Sequence, residues 1–129
     1  FDRMSAMDYY RAAYFQRPAI YRRVVEFFET YDLLLAPTLA TPPFAHQGWA
    51  PGPPQVAGTP ISPFFGWLLT YPFNLTGQPA ASIPVGFSDE GLPIGMQIVG
   101  RRHADAAVLR ASAAFEQAAP WAARRPHLG

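Results

Sequence analysis

Ala80-Ala81-Ser82-Ile83-Pro84-Val85-Gly86-Phe87 and Pro93-Ile94-Gly95-Met96-Gln97-Ile98-Val99 are two strand-forming runs on either side of Ser88-Asp89-Glu90-Gly91. A serine, two acids and a glycine between apolar runs read as a hairpin connection, so the segment 80–99 is expected to be a β-hairpin. C-terminal to it, Asp105 is placed to cap a helix over 105–119 whose face is Val108, Ser112, Phe115 and Ala119, and Pro120 stops it. N-terminal to it, Phe64 to Asn74 is aromatic and helical in part, with Pro72 limiting its extent. Before that, 42–63 holds seven prolines and the glycines 48, 52 and 58. Such a stretch reads as a loop, and a loop of this length in a compact domain is commonly functional.

Further outward, Asp32-Leu33-Leu34-Leu35-Ala36 is a continuous apolar run ended by Pro37-Thr38. A run apolar throughout suits a strand buried on both faces, as in α/β proteins. The region 5–30 reads as two helices. Ser5-Ala6-Met7-Asp8 fits a capping box, and Arg3, Met7, Tyr10 and Tyr14 share a face at helical spacing. Pro18 suits the first turn of the second helix, whose apolar stripe is Ile20, Val24, Phe27, Phe28 and Tyr31. The order helix, helix, strand, long loop, hairpin, helix predicts an α/β chain of 129 residues forming one unit.

Composition bounds the function. The formal net charge is +1, which leaves no electrostatic footprint for nucleic acid or an anionic membrane. No apolar run approaches the roughly 20 residues a membrane helix needs. There is no cysteine, which excludes disulfides, thiol nucleophiles and cysteine metal clusters. All ten basic residues are arginine, so chemistry that needs a lysine base or Schiff base has no residue for it in this chain.

The remaining candidates for chemistry each lack a part. Gly95 to Gly100 has the glycine spacing of a phosphate-binding loop, but Arg101-Arg102 stands where the lysine and the serine or threonine belong. His46, His103 and His127 have no second ligand at i+3 or i+4, and His103 sits beside two arginines that oppose a cation. Ser82 is the serine inside a predicted strand, without the Gly-x-Ser-x-Gly setting of a nucleophile elbow. Asp89-Glu90 suits a turn, and Glu26 and Glu29 suit a solvated helix face. Pro51-Gly52-Pro53-Pro54 favours polyproline II, the conformation taken by ligands of SH3-like and WW-like domains, yet no basic residue flanks it. The residues alone describe an α/β chain without a complete catalytic apparatus. No metal and no cofactor are expected.

Longer blocks carry a resemblance. Tyr71-Pro72-Phe73-Asn74-Leu75-Thr76-Gly77-Gln78-Pro79-Ala80-Ala81-Ser82-Ile83-Pro84-Val85-Gly86, followed by Gly91-Leu92-Pro93-Ile94-Gly95-Met96-Gln97-Ile98-Val99-Gly100, resembles the C-terminal portion of the amidase signature enzymes. These include bacterial amidases and the amide-hydrolysing component of the tRNA-dependent amidotransferase. Tyr31-Asp32-Leu33-Leu34-Leu35-Ala36-Pro37-Thr38 resembles the family's earlier strand with its Pro-Thr exit, and Ala119-Pro120-Trp121 through Arg125-Pro126 resembles its terminus.

The resemblance implies an α/β fold, here a partial mixed sheet flanked by helices as a C-terminal fragment of the family's fold, and a hydrolase of carboxamide C–N bonds. It implies a serine nucleophile, a second serine in a cis peptide and a lysine base, forming an acyl-enzyme and releasing ammonia or an amine. None of these three residues is carried over onto this chain, so it is expected to be the C-terminal quarter to third of an amidase, inactive alone, from a cytoplasmic enzyme. What carries over is pocket wall, with Trp67, Thr70, Phe73 and Asn74 as the substrate-binding candidates. The amidotransferase members have an aspartate where this chain has Trp67; that acid suits the amine of glutamine, whereas tryptophan suits an uncharged or aromatic amide. Severing a sheet exposes strand edges, so self-association or a homodimer is expected. The competing expectation is a non-catalytic amidase-like module whose aromatic, proline-rich surface holds a partner.

Overall fold

A computed structural model describes residues 4–45 and 52–124. The elements run α1 (Ala6–Arg11), a π-helical turn (Ala12–Gln16), α2 (Arg17–Thr30), β1 (Leu33–Pro37), β2 (Gln55–Val56), β3 (Thr59–Pro60), α3 (Tyr71–Thr76), β4 (Ala80–Phe87), β5 (Pro93–Gly100) and α4 (Asp105–Ala118). Three strands form one antiparallel sheet in the order β1-β5-β4, and β2 and β3 pair separately. The chain is therefore α/β, and the described strand pairings are all antiparallel.

The hairpin forms as its turn residues require. Gly91 has φ +80°. Its N–H donates to the Ser88 carbonyl at 2.8 Å, and the Ser88 N–H donates to the Leu92 carbonyl at 2.8 Å. Pro84 pairs with Gly95 and Gly86 with Ile94, so Val85 is the extra residue of a bulge. Pro84 is tolerated because β4 is an edge strand.

Side chains alternate along β5, so its two faces fill two separate cores. Ile98 packs with Ile83 and with Val108 of α4, and Leu33, Met96 and Phe115 close around them. Val99, 0% exposed, packs on the other side with Phe28 of α2 and Phe73 of α3. Gly100 lets α4 come close, since a β-carbon there would lie 2.8 Å from Val108 Cγ2. Arg17 Nε donates to the Leu75 carbonyl at 2.8 Å, satisfying one of the free carbonyls in the last turn of α3.

Several sequence expectations change. The two N-terminal helices are one helical run: the backbone stays αR at Arg11, Ala12, Gln16 and Arg17, with the π turn between α1 and α2. Pro18 falls just after the π turn inside this continuous run, so its missing N–H removes one intrahelical bond there. The stripe on α2 packs only in its second half. Val24, Phe27 and Phe28 meet the core, whereas Ile20 and Tyr31 are exposed. β1 is not buried on both faces, because Leu35 is 57% exposed. The reason is topological: β1 is an edge strand, and α4 lies over β4 and β5. Pro72 does not limit a helix beginning at Phe64; it occupies the first turn of α3 and starts it. Asp105 is not the cap of α4 but lies in its first turn after Ala104, where its charge suits the helix dipole.

Candidate functional site

Beyond the end of β1 the chain is held against the segment that precedes α3. The Ala40 N–H donates to the Trp67 carbonyl at 2.9 Å, Leu39 bridges Leu68, and the Leu69 N–H donates to the Thr38 carbonyl at 3.3 Å. Gln97 locks this strip to the sheet. Its Nε2 donates to the carbonyls of Pro37 and Leu69, each at 3.0 Å, from a side chain that is 2% exposed. A buried amide that bridges two otherwise loose segments fixes their spacing, because leaving those carbonyls unpaired would cost about 1–3 kcal/mol each.

On the same face of the sheet, Thr38 Oγ1 and Ser82 Oγ lie 2.7 Å apart. Gly95 makes room for the pair, since a β-carbon there would approach both oxygens to 3.0 Å. Thr38, Ser82 and Gly95 line a recess of about 150 Å3 with Thr41, Pro42 and Ile94. Two hydroxyls bonded to each other leave one proton and several lone pairs to offer a neighbour. The partner of Ser82 is thus a threonine hydroxyl, which is not a base that could make it a nucleophile.

Trp67 is half-buried in the strip. Its indole N–H donates to the Pro63 carbonyl at 3.0 Å, and its ring meets Phe44 edge to face at 5.3 Å between centroids. Thr70 stands immediately before α3, and its carbonyl accepts from the N–H groups of Phe73 and Asn74 at 3.2 and 3.4 Å. Asn74 is exposed on the first turns of α3. Phe73 points elsewhere: at 9% exposed it packs with Phe28 and Val99 in the core. The structure therefore brings Trp67 and Thr70 onto one strip with Asn74 just beyond, and turns Phe73 inward to hold α3 on the sheet.

His103 has φ +65° in the turn between β5 and α4, where the Ala104 N–H donates to the Arg101 carbonyl at 2.9 Å. His46 and His127 lie outside the described residues. Among the described residues no group of three histidine, aspartate or glutamate side chains is placed to hold a metal ion. No described helix is long and apolar enough to cross a membrane.

Sequence reasoning misses Gln97 and the Thr38–Ser82 pair. Gln97 does leave a signal, a lone amide inside the apolar run Met96-Gln97-Ile98-Val99. The hydroxyl pair leaves none, since the two residues are 44 positions apart.

Comparison with known proteins places this arrangement. Residues 1–109 match the family model described as Amidase. The chain is 38% identical over 126 residues to an acylamidase of Rhodococcus erythropolis, covering 97% of this chain and 26% of that protein. Among solved structures, a bacterial aryl acylamidase of the amidase signature family superposes with a TM-score of 0.87 at 42% identity, over 96% of this chain and 26% of that one. A 6-aminohexanoate cyclic dimer hydrolase in complex with its substrate superposes with a TM-score of 0.74 at 31% identity, over 98% and 27%. The chain thus spans about a quarter of the length of the relatives it matches. With most of its own length matched by the family model and by these relatives, the chain belongs to the amidase signature family.

Proposed function

We propose that this chain forms part of the substrate-pocket wall of an amidase acting on an uncharged or aromatic amide. The catalytic serine, its cis-peptide serine partner and the lysine base lie in sequence outside it. The chain spans 26% of the acylamidase and contains no lysine, so the base has to come from elsewhere in the polypeptide. In this reading the serine attacks the amide carbonyl, the amine leaves with a proton relayed from the serine pair, and water hydrolyses the acyl-enzyme.

One observation carries the choice of substrate. The single N–H of the Trp67 indole is already given to Pro63, so the ring has only apolar surface left to present. An apolar aromatic wall gains by covering an aryl or alkyl group and gives no counter-charge to an ammonium group. Thr70 and Asn74 supply the polar groups near it, and Phe73 anchors the helix that carries Asn74. Support also comes from the aryl acylamidase, with its 42% identity.

The test is a kcat/KM comparison in the complete polypeptide that carries this chain. An aryl acylamide is expected to be preferred over glutamine by about 100-fold or more, and Trp67→Asp is expected to narrow that gap. Equal rates on the two substrates would overturn the reading of Trp67.

By itself the chain is inactive and self-associates. Leu35 on the open edge of β1, with Met7, Tyr14 and Phe15 on the first helical run, leaves apolar surface uncovered. Light scattering on the isolated chain is expected to give dimers or larger species, and a monodisperse monomer at high concentration would contradict this.

A further inference from the structure

Gly52 is buried in the proline-rich loop against the Nε1–Cδ1 edge of the Trp67 indole. A β-carbon built on it would fall on the indole Nε1, 2.7 Å from the indole Cδ1 and 2.7 Å from the Pro63 carbonyl oxygen. These are the donor and the acceptor of the hydrogen bond that orients the ring. The φ of Gly52 lies outside the left-handed range that favours glycine. Glycine is required there for space. Phe44 closes another side of the ring, edge to face.

On these observations we propose that Gly52 is the positioning residue for Trp67, and that it thereby sets which amides the pocket accepts; the second half rests on Trp67 being pocket wall. Three contacts meet the indole: the Pro63 carbonyl at its N–H, the Phe44 ring perpendicular to it, and the Gly52 backbone against its Nε1–Cδ1 edge. Any side chain at 52 has to push aside both the indole and the Pro63 carbonyl. The ring then loses its N–H partner and swings from the orientation that presents its apolar surface. An indole N–H released from Pro63 is an unpaired donor, and a wall bearing one no longer favours an aryl group as strongly. Neither consequence depends on Gly52 touching substrate.

The experiment is a two-by-two set in the complete polypeptide: the natural protein, Gly52→Ala, Trp67→Phe and the pair together. The reading is the ratio of kcat/KM for an aryl acylamide to that for a small aliphatic amide. Gly52→Ala is expected to lower the ratio about tenfold, on the scale of one misplaced methylene in an apolar pocket. On the Trp67→Phe background, where no indole N–H remains to displace, the same change is expected to move the ratio less than about twofold. A full Gly52→Ala effect on that background would overturn the role of Gly52. A ratio unmoved by Trp67→Phe alone would overturn the pocket-wall reading of Trp67 instead. Should Gly52→Ala fail to give folded protein, recovery of folded protein in Gly52→Ala with Trp67→Ala supports the contact, and no recovery overturns it.

Discussion

From Ala6 to Gln16 the helical run buries none of its side chains, although it carries Met7, Tyr9, Tyr10, Tyr14 and Phe15. From Gln97 to Gly100, at the end of β5, every residue is buried. Both regions carry large apolar side chains, and these end in opposite states. A helix closes its own hydrogen bonds within a few residues, so this run can extend outward from the packed half of α2 with its own side chains uncovered. A strand has no bonds of its own to close and exists only where neighbours supply them, so β5, paired on both sides, sits by necessity in the middle. Burial therefore reports where partners lie, and among the described residues nothing covers the apolar side chains of the helical run.

Breaking the buried region should have the largest effect. Ile98→Ala removes a side chain that is 2% exposed and joins Ile83 to Val108. Its expected cost in urea unfolding is about 2–5 kcal/mol, the range for emptying a core site. Phe15→Ala, at a position 62% exposed, should cost within about 0.5 kcal/mol in this chain. In the complete polypeptide the Phe15 cost should rise above about 1.5 kcal/mol, because a covering surface returns the burial of a large apolar side chain. Equal small costs for Phe15 in both settings would mean that the helical run is a free surface of the whole protein.

Next in size is the close approach of α4 to β5. Gly100→Ala puts a methyl 2.8 Å from Val108 Cγ2 and should cost about 1–3 kcal/mol by overpacking. Val108→Ala in the same chain should recover part of that loss, a coupling that a double-mutant cycle reads directly. Additive costs would show that α4 does not rest on Gly100.

The hairpin is the most legible part of the fold, because its turn is local: Ser88 and Gly91 lie three residues apart and bond to each other. The capping box at Ser5 and Asp8 is legible for the same reason. β1 misleads because a continuous apolar run has the same appearance in a doubly covered strand and in an edge strand whose cover is elsewhere. The α3 proline misleads because proline both ends helices and begins them, and only the following Phe73-Asn74-Leu75-Thr76 decides which. At the site, Trp67 and Thr70 emerge through resemblance to a family. Gln97 and Gly52 act across 28 or more and 15 residues of sequence respectively, on the Leu69 and Trp67 segments, and no local pattern marks such pairs.

A smaller effect tests the start of the sheet. Gly77 ends α3 with φ +75°, and its N–H donates to the Phe73 carbonyl at 2.7 Å. A β-carbon there would meet nothing, so the strain of Gly77→Ala is in the backbone alone, about 1–2 kcal/mol. The measured loss should be the same in this chain and in the complete polypeptide, in contrast to Phe15, because the cause is internal to the residue.

The smallest effect belongs to the uncovered helix. Ser5 Oγ accepts from the Asp8 N–H at 3.1 Å while Asp8 Oδ2 accepts from the Ser5 N–H at 3.1 Å. Ser5→Ala removes half of this box, and its expected cost of about 0.5–1 kcal/mol falls on α1 rather than on the sheet. Hydrogen bonds from the Ser5 side chain, and then from its backbone, hold the Asp8 carboxyl below the ordinary aspartate range. A carboxyl depressed in the folded state stabilises it above its unfolded pKa, and that stabilisation is lost as pH falls through the folded value. Helicity of α1 should therefore hold at neutral pH and decline as pH falls below the ordinary aspartate range, with Ser5→Ala flattening the decline. Because the box lies at the far end of the run from the packed half of α2, the change should appear in amide exchange at Asp8 and Tyr9 while the amides of β5 stay protected. Loss of protection in both regions at once would mean that the helical run and the sheet open together, and that the contrast between them is one of exposure but not of stability.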